Sequence, residues 1–558
     1  MFNKVKVSLN KVKNKIKLSF NKIKGDTMKK LILYLAYLMF LLSVSCDNDN
    51  PDSSEKIVLG GNVPDDYTGT VTRVLEDNVH TIKQNSTLIL NENDFRYTHM
   101  YGFDRLFNHL HRYGYAHDRL VSGRFTKELL SNYDVLFINL VDDTRPGFSE
   151  EEIAAVEDFV KNGGGLFVIA DHTNVYNHAE MTNPLLAPYD ITIRYEIAVD
   201  VAPHSVSGLG WILVSDLREH PVNNDIYEYS LETGGPLDGP GGIGFTSPQG
   251  WGDAWDPNME EGYYGNWTKD PGEPSGPQSV VQAVEYGQGR VVVVGDQNIF
   301  GDPYLFFIDN SGLAFNAFEW LAHRENDSPH LKDQPSEGLN IRIDTKADDL
   351  NMGKSGQNDH YTFYTNLNRV AAVTAHATRR PLPFLPDVSM VVEPIYMPDA
   401  SSLDEMNRVL DAGGQVALVI EPTSISEASR NFMNYWGIDW GLKDKDGNDF
   451  DINSSGNVYS VLSDAVTTTE VRGKNLKLSR CAELTCPGHA ILSAENENGN
   501  CDLICSYDVS GGRFLLILTG KLFRRSDLGD VHDVPAGYRE AAYMLELGLT
   551  DILLDYKN

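Results

Sequence analysis

Cysteine is scarce in this 558-residue chain, which contains five. None of them lies between Cys46 and Cys481, so a cysteine nucleophile is excluded from that whole stretch. Basic residues are also few, since 47 Lys and Arg stand against 79 Asp and Glu and give a net charge of −32. Such a charge repels DNA and anionic lipid, so we expect no nucleic-acid partner. Beyond residue 46 no apolar run is long enough for a membrane helix.

The N-terminal region has the pattern of a signal peptide. A basic segment at 28–30 precedes an apolar run at 31–44, which is too short to span a bilayer comfortably. Residues 42–46 resemble the lipobox of bacterial lipoproteins, in which the cysteine, here Cys46, is acylated. The alternative is an ordinary secretory peptide with an incidental cysteine. Residues 1–27 are basic, and either translation starts at Met28 or they extend the basic region of the signal.

The segment after the cysteine is polar and predicts a lipidated flexible tether over 46–75. Its acidic start resembles the surface-export signals of Bacteroidota lipoproteins. Without residues 1–45, which hold ten lysines and one aspartate, the net charge is about −41. We therefore expect a lipid-anchored protein at the outer membrane or cell surface, whose membrane contact is through the lipid only.

The rest of the chain contains an internal duplication of strand–helix–strand units. The first copy has buried strands at 134–140 and 166–170, separated by a helix that opens with a capping box at Ser149 and ends at 163–165. The repeated pattern in the second copy comprises a strand at 387–392, a helix at 402–410, glycines at 413–414 and strands at 416–420 and 514–518. Unbroken apolar strands and short glycine turns predict parallel sheets covered on both faces. We expect domains at 76–328 and 339–558, joined by a linker at 329–338.

A family resemblance rests on this order and on Gly287-Gln288-Gly289-Arg290, which leads into an apolar strand ending at Asp296. The pattern resembles class I glutamine amidotransferase-like domains, and most of all their non-amidotransferase, trehalose-utilisation-like relatives. The resemblance implies two tandem flavodoxin-like α/β domains, the first with a long aromatic insertion rich in Gly and Pro. In amidotransferases a cysteine nucleophile follows the strand that is here 166–170. Asp171-His172 stands there instead, so thioester chemistry is excluded.

Polar side chains cluster where the strands of the first copy end, which is where open α/β sheets bind ligands. The candidates are Asp171, His172, Tyr176 and His178 after one strand, Asp142, Asp143 and Arg145 after its neighbour, Asp296 and Asn298 after the last strand, and His204 from the insertion. The alternative is a polar loop whose histidines cap helices and satisfy backbone groups. In the second copy Glu421 replaces Asp171 and Thr519 replaces Asp296, which indicates a scaffold or binding role for that half.

The insertion at 234–279 carries a group of aromatic residues. They are Trp251, Trp255, Tyr263, Tyr264 and Trp267. Such rings can stack on sugars and form a cleft wall over the Asp171 edge, or they can pack on one another in a compact loop. A separate helix over 102–113 places Arg105, His109 and Arg112 near one face as cationic candidates.

Four cysteines lie near the C-terminus, Cys481, Cys486, Cys501 and Cys505, with C-x4-C-x14-C-x3-C spacing. In a cytosolic protein this spacing would suggest zinc. Outside the cytoplasm we expect two disulfides, whose pairing the sequence does not give.

These features together favour a carbohydrate-active enzyme acting on an extracellular polysaccharide. The leading hypothesis is a polysaccharide lyase that cleaves a uronate-containing glycan by β-elimination, with His172 or His178 as base, Tyr176 as acid, and Arg145 or Arg105 facing the uronate carboxylate. Hydrolysis would instead use two carboxylates among Asp142, Asp171 and Asp296. The chain could also be a non-catalytic glycan-binding or assembly lipoprotein, or a hydrolase that uses Asp171, His172 and Asp296 with a divalent metal such as calcium.

Overall fold

A computed structural model describes most of the chain after residue 54. The described residues are 55–82, 102–259, 263–301, 304–326, 330–345, 347, 360–375, 382–422, 425–438, 441, 443–444, 462–463, 467–478, 481–482, 484–496, 499–529 and 538–556. The predicted signal peptide and Cys46 lie outside them. Residues Glu55–Asn558 belong to one compact unit. A search of the described helices finds none with the length and apolar character needed to cross a membrane.

The first half of this unit alternates strands and helices up to residue 321. Its helices are α1 (Asp104–Arg112), α2 (Lys127–Leu130), α3 (Glu150–Lys161), α4 (His178–Leu186) and α5 (Asn310–Leu321). Its strands are β1 (Lys56–Gly61), β2 (Thr72–Asp77), β3 (Tyr115–Ser122), β4 (Val135–Ile138), β5 (Gly165–Ile169), β6 (Thr192–Ile193), β7 (Glu196–Val199), β8 (Ser205–Ser207), β9 (Trp211–Val214), β10 (Asp216–Leu217), β11 (Tyr229–Glu232), β12 (Leu237–Asp238), β13 (Gly242–Phe245), β14 (Trp251–Ala254), β15 (Ser279–Tyr286) and β16 (Gly289–Val294).

The second half repeats this alternation. Its helices are α6 (Tyr361–Val370), α7 (Ala400–Asp411), α8 (Glu427–Tyr435), α9 (Arg525–Leu528) and α10 (Tyr538–Asp555). Its strands are β17 (Asn340–Ile343), β18 (Ala372–Ala375), β19 (Val388–Val392), β20 (Gln415–Val419), β21 (Lys443–Asp444), β22 (Leu462–Ser463), β23 (Thr467–Val471), β24 (Lys474–Leu478), β25 (Cys481–Ala482), β26 (Leu484–Thr485), β27 (His489–Asn496), β28 (Gly499–Val509) and β29 (Gly512–Ile517).

Each half is organised around a nine-stranded mixed sheet. The first sheet has the order β1-β3-β2-β4-β5-β16-β15-β13-β10, and the second has the order β18-β17-β19-β20-β29-β28-β27-β23-β24. The strands from β3 to β16 in the first sheet, and from β18 to β29 in the second, are parallel to their neighbours. The strands beyond β16 and β29 are antiparallel. The predicted α/β class with two tandem sheets is confirmed, and so is the hairpin that the sequence around 287–289 predicts, since β15 and β16 pair antiparallel.

The capping box predicted at the start of α3 is confirmed and extends into a buried ionic cluster. The Ser149 hydroxyl accepts from the backbone N–H of Glu152, and the Glu152 carboxylate accepts from the N–H of Ser149. The second oxygen of Glu152 lies 3.2 Å from Nε2 of His80, whose Nδ1 lies 3.0 Å from the carboxylate of Asp77. Burial lowers the pKa of His80, but the two carboxylates outweigh it and raise the pKa to about 9. This triad fixes the end of β2 to the start of α3.

The flexible tether predicted over 46–75 is wrong beyond residue 55. Residues 56–61 form β1, and Thr72–Asp77 forms β2 within the sheet. Three of the six residues of β2, Arg73, Glu76 and Asp77, are charged. Glu76 is fully buried because it pairs with His117 at 2.6 Å and with Arg119 at 2.9 Å, both on β3. A strand carrying such a charge is stable in the interior only when partners from elsewhere satisfy it.

The two halves share a hydrophobic cluster. Trp211 of the first half, which is 5% exposed, packs with ring centroids 5.5 Å from Phe307 and 5.4 Å from Tyr361 of α6. The same cluster includes the core residues on one face of the second sheet and of α10. The side chain of Arg105 also joins the halves, since its guanidinium donates to Asn368 Oδ1 at 3.1 Å and to the carbonyl of Ala371.

Candidate functional site

Two aspartates leave neighbouring parallel strands at one level of the first sheet. Val294 of β16 pairs with Ile169 of β5, and Asp296 and Asp171 each lie two residues further on. Side chains two residues apart on a strand point to the same face, so the two carboxyl groups are neighbours. Both residues are buried, Asp171 at 5% and Asp296 at 0% exposed. The edge predicted to carry chemistry therefore contains a buried pair of carboxyl groups.

The surroundings of these carboxyl groups favour their protonated form. Burial raises the pKa of Asp171, and the negative charge of Glu232 raises it further, against a 2.7 Å hydrogen bond from the N–H of His172. Burial and the charge of Asp171 likewise raise the pKa of Asp296. The oxygens of Asp296 accept from the N–H groups of Glu232 at 2.6 Å and Asn298 at 2.7 Å. Both carboxyl groups therefore keep their protons to a higher pH than an ordinary aspartate does.

Glu232, which the sequence patterns did not single out, is the carboxylate of this cluster that faces solvent. It is half-buried at the end of β11, directly across from Trp211 on β9. Together with residues 208–211, Thr233 and Trp267 it lines an open depression of about 320 Å³. Its backbone carbonyl accepts from Asn298 Nδ2 at 3.1 Å, which fixes β11 to the end of β16.

Two glycines after Glu232 allow the insertion to approach the sheet this closely. A Cβ atom on Gly235 would lie 2.4 Å from the carbonyl oxygen of Asp171, and one on Gly234 would lie 3.0 Å from Cβ of Asp296. No side chain fits at such a backbone contact. The sequence does contain a signal that could have identified Glu232, since this acidic residue lies two positions before a Gly-Gly pair.

His172 lies beside the carboxyl pair in a neutral state. Its Nε2 is 3.8 Å from Asp171 Oδ1, and its Nδ1 is 3.1 Å from the hydroxyl of Thr173. The ring stacks on Tyr264 with a centroid distance of 5.0 Å and an interplanar angle of 18°. Burial lowers its pKa to about 3. Such a histidine is a weak base, so the base role predicted for His172 gains no support.

His178 has the structural role that the sequence allowed for a histidine in this loop. Its Nε2 accepts from the backbone N–H of Asp171 at 3.1 Å, and its Nδ1 donates to the carbonyl of Val175 at 2.8 Å. The ring is 1% exposed, and burial lowers its pKa to about 4. Because both ring nitrogens bind backbone groups, His178 holds the loop in shape and has no free nitrogen for proton transfer.

The loop between these histidines is conformationally strained. Thr173, Tyr176 and Asn177 have φ angles of 50°, 53° and 55°. The strained turn is held by Asp143, whose N–H donates to the carbonyl of Tyr176 at 3.0 Å and whose carboxylate accepts from Asn177 Nδ2. Tyr176 is half-buried, with its ring 6.0 Å from that of Tyr263. Strain of this kind is common at functional sites and persists only where neighbouring contacts enforce it.

Both arginines proposed to neutralise a uronate carboxylate bind groups of the protein itself. Arg145 donates to the carbonyls of Asn78 at 2.8 Å and Val79 at 3.1 Å, where it caps the end of β2. Arg105 is used at the contact between the halves. The two guanidinium groups donate to backbone carbonyls and to a side-chain amide. The positions of Arg residues in the sequence do not reveal such contacts. Asp142 is similarly occupied, since it accepts from the N–H of Thr144 at 2.8 Å.

The aromatic insertion folds over the Asp171 edge, as the cleft-wall hypothesis predicts. The Thr173 hydroxyl donates to the carbonyl of Tyr263 at 2.6 Å. The rings also pack on one another, because Trp251 is buried with Ile197 and Val199 while Tyr264 and Trp267 cover that cluster. Trp255 packs against Tyr195 with a centroid distance of 6.3 Å. Trp267 alone among the five predicted rings borders the depression within the described part of the chain.

The remaining candidates take no part in the carboxyl cluster. His204 is half-buried and directly precedes β8. Its backbone N–H donates to the carbonyl of Val201, and its carbonyl accepts from the N–H of Leu213 on β9, the strand that carries Trp211. Among the described residues no group of three or more His, Cys, Asp or Glu is arranged to hold a metal ion. The calcium hypothesis therefore gains no support.

The C-terminal cysteines form disulfide bonds. Cys486 pairs with Cys505, which joins β28 to the segment after β26. Cys501 is also disulfide-bonded. The side chain of Cys481 lies outside the described part of the chain. The expectation of disulfides in this segment is confirmed for Cys486 and Cys505.

Comparison with known proteins gives fold-level similarity. No family model matches the sequence, and no curated protein matches it. Similar solved structures include the mmIFT52 N-terminal domain, with 16% identity and a TM-score of 0.32 over 45% of this chain and 97% of that chain. A thua-like protein from Bacteroides uniformis has 14% identity and a TM-score of 0.27 over 47% of this chain and 95% of that chain. The β-galactosidase from Rahnella sp. R3 has 13% identity and a TM-score of 0.21 over 45% of this chain and 31% of that chain. Thua-like proteins are thus among the similar structures, and similarity at this level carries no information about function.

Proposed function

We propose that this protein is an extracytoplasmic carbohydrate-active enzyme that hydrolyses glycosidic bonds at Asp171, Glu232 and Asp296. The observation that carries the proposal is a half-exposed carboxylate, Glu232, facing a depression beside two buried carboxyl groups whose pKa values are raised. Glycoside hydrolysis requires one carboxylic acid and one carboxylate at the same bond. Environments that separate the pKa values of neighbouring carboxyl groups assign those two roles.

Hydrolysis fits this site better than the elimination reaction favoured by the sequence. Elimination requires a cation or metal that neutralises the uronate carboxylate, and Arg105 and Arg145 are committed to contacts elsewhere. The carboxylate of Glu232 instead places negative charge at the depression, which disfavours an anionic sugar. We therefore propose a neutral glycan as the substrate class.

The roles follow from exposure and hydrogen bonding. Glu232 is the group that reaches the depression, and we assign it as the base that activates water or as the nucleophile at the anomeric carbon. Asp171 is assigned as the acid that protonates the leaving oxygen, because its raised pKa keeps a proton at hand at neutral pH. Asp296 positions Glu232 by accepting from its backbone N–H at 2.6 Å, and Trp267 offers a ring face for a sugar.

The proposed compartment is the cell exterior. Disulfides persist in oxidising surroundings, and the Cys486–Cys505 bond supports such a location. The finer proposal is a Bacteroidota-type secreted lipoprotein with tandem amidotransferase-like domains, anchored at the outer membrane or cell surface through acylated Cys46 and acting on an extracellular polysaccharide.

A panel assay tests the proposal with residues 47–558, which lack the lipid cysteine. Neutral and uronate-containing polysaccharides are incubated with the protein, and reducing ends are followed together with the ultraviolet absorbance of a new double bond. We expect reducing ends to rise on a neutral glycan without absorbance. Asp171→Asn and Glu232→Gln are expected to lower turnover about 100-fold or more, whereas the exposed Asp238→Asn should leave it unchanged.

Two results of this assay would contradict hydrolysis. Reducing ends that rise with ultraviolet absorbance on a uronate polymer would establish a lyase. Retention of a glycan without either signal would establish a non-catalytic glycan-binding or assembly protein.

A further inference from the structure

The solvent-facing carboxylate of the first half is contacted by a side chain of the second half. The hydroxyl of Tyr361, the first residue of α6, donates to Oε1 of Glu232 at 3.4 Å. The hydroxyl of Tyr304, which follows β16, hydrogen-bonds to that of Tyr361. The two tyrosines are 129 and 72 positions after Glu232 in the chain. Two phenol groups from different halves therefore converge on one carboxylate.

These phenol groups lie in apolar surroundings. Tyr361 is 6% and Tyr304 is 3% exposed, and Trp211 packs edge-on against both, with centroid distances of 5.4 and 6.1 Å. Burial and the charge of Glu232 raise the pKa of each tyrosine well above its ordinary value, so both remain protonated donors. A hydrogen bond from a neutral donor to a carboxylate is strong where water is excluded.

The position of α6 is itself fixed from the first half. Arg105 of α1 donates to Asn368 on α6 and to the carbonyl of Ala371 just beyond it. The guanidinium of Arg525, from α9, covers the ring of Tyr361 at 5.0 Å. The hydroxyl of Tyr361 therefore has little freedom to leave Glu232.

We infer that the second half completes the active site, and that Tyr361, supported by Tyr304, is a positioning residue that holds Glu232 as an oriented carboxylate at the depression. The inference rests on the proposed hydrolytic function. Donors to a carboxylate stabilise its charged form and fix the direction of its second oxygen. The second half, whose own sheet edge has Thr519 in place of Asp296, thereby gains a role in the chemistry of the first.

The first test compares the pH dependence of kcat/KM for wild type and Tyr361→Phe on the neutral glycan found in the panel. Loss of the donor is expected to move the acidic limb to higher pH by about one unit, which is about a tenfold loss on that limb and little change on the plateau. Tyr364→Phe is the matched control, since Tyr364 is a buried tyrosine of the same helix whose hydroxyl donates to the carbonyl of Val373 at 3.3 Å. An equal loss at every pH, or the same profile shift in the control, would overturn the inference.

The second test requires no turnover. A water-soluble carbodiimide with an amine modifies protonated carboxyl groups, and peptide mass spectrometry measures the modification of Glu232 between pH 5.5 and 7.5. We expect Tyr361→Phe to be modified about tenfold faster than wild type and Tyr364→Phe. Unchanged modification in a folded variant would refute the contact, and Tyr304→Phe replaces Tyr361→Phe if the latter does not fold. Absence of turnover in wild type would refute the hydrolase proposal, whereas the modification rate decides separately whether Tyr361 holds Glu232.

Discussion

The buried triad at the end of β2 makes a quantitative prediction about stability. Replacing His80 by glutamine removes the cation between Asp77 and Glu152 but keeps an N–H donor. In the folded protein the pKa of His80 is raised from 6.5 to about 9, because its attraction to the two carboxylates outweighs the cost of burial. The free-energy difference that corresponds to this shift is about 3 kcal/mol.

The sign of this contribution fixes its pH window. Because the folded pKa of His80 lies above its unfolded value, the folded state binds the proton more tightly. The stabilisation is fully present below pH 6.5 and is lost as the pH rises through about 9. The pKa of Glu152 is lowered to about 2, since hydrogen bonds from His80 and Ser149 outweigh its burial, so its contribution is present above pH 4.5 and is lost as the pH falls through about 2.

Urea unfolding of wild type and His80→Gln at pH 6, 7.5 and 9.5 measures the effect. The difference in the free energy of unfolding is expected to shrink by about 3 kcal/mol between pH 6 and pH 9.5. His109→Gln is the matched control, because His109 is a buried histidine whose pKa is lowered to about 4 and which stays neutral over this range. A difference for His80→Gln that is as independent of pH as that of the control would refute the reasoning.

Three further predictions concern the core, the site and the disulfide. Trp211→Ala should lower the free energy of unfolding by about 3–5 kcal/mol, because it removes the ring shared by both halves, and the half-buried Trp255→Ala should cost less than half as much in the same urea titration. Asp171→Asn should be more stable than wild type at pH 8 but not at pH 4, because a carboxyl with a raised folded pKa loses stability as the pH rises above its unfolded value; equal differences at both pH values would contradict this. Cys486→Ser should lower stability by about 3 kcal/mol for a disulfide that spans 19 positions, and a chemically reduced wild type should show at least that loss.

Local patterns predicted the elements and the edge that holds the carboxyl pair. The strands around Val168 and Val293 are unbroken apolar runs, and the cap at Ser149 is a four-residue signature. The register of parallel strands then places Asp171 and Asp296 together, because each follows its strand by the same number of residues. Strands, caps and the residues that follow a strand can be predicted because each depends on residues close together in the sequence.

Contacts between distant residues could not be predicted in this way. The role proposed for Glu232 depends on its contact with Tyr361, 129 positions away, and on a depression that exists only in the folded chain. The burial of Glu76 depends on His117, a partner 41 positions later in the chain. The roles predicted for Arg105 and His178 gain no support for the same reason, since residue type does not reveal which backbone carbonyls and amides these side chains contact.

The shared cluster around Trp211 also orders events while the chain is being made. The strands of the first sheet are complete by Val294, but Phe307 and Trp211 lie in a cluster that also contains residues from Leu339 onward, including Leu549 near the end of the chain. While the chain is synthesised from its N-terminus, this aromatic surface therefore stays partly exposed until the last helix has been made. Such a nascent chain depends on holding chaperones, and a product truncated between the halves is prone to aggregate.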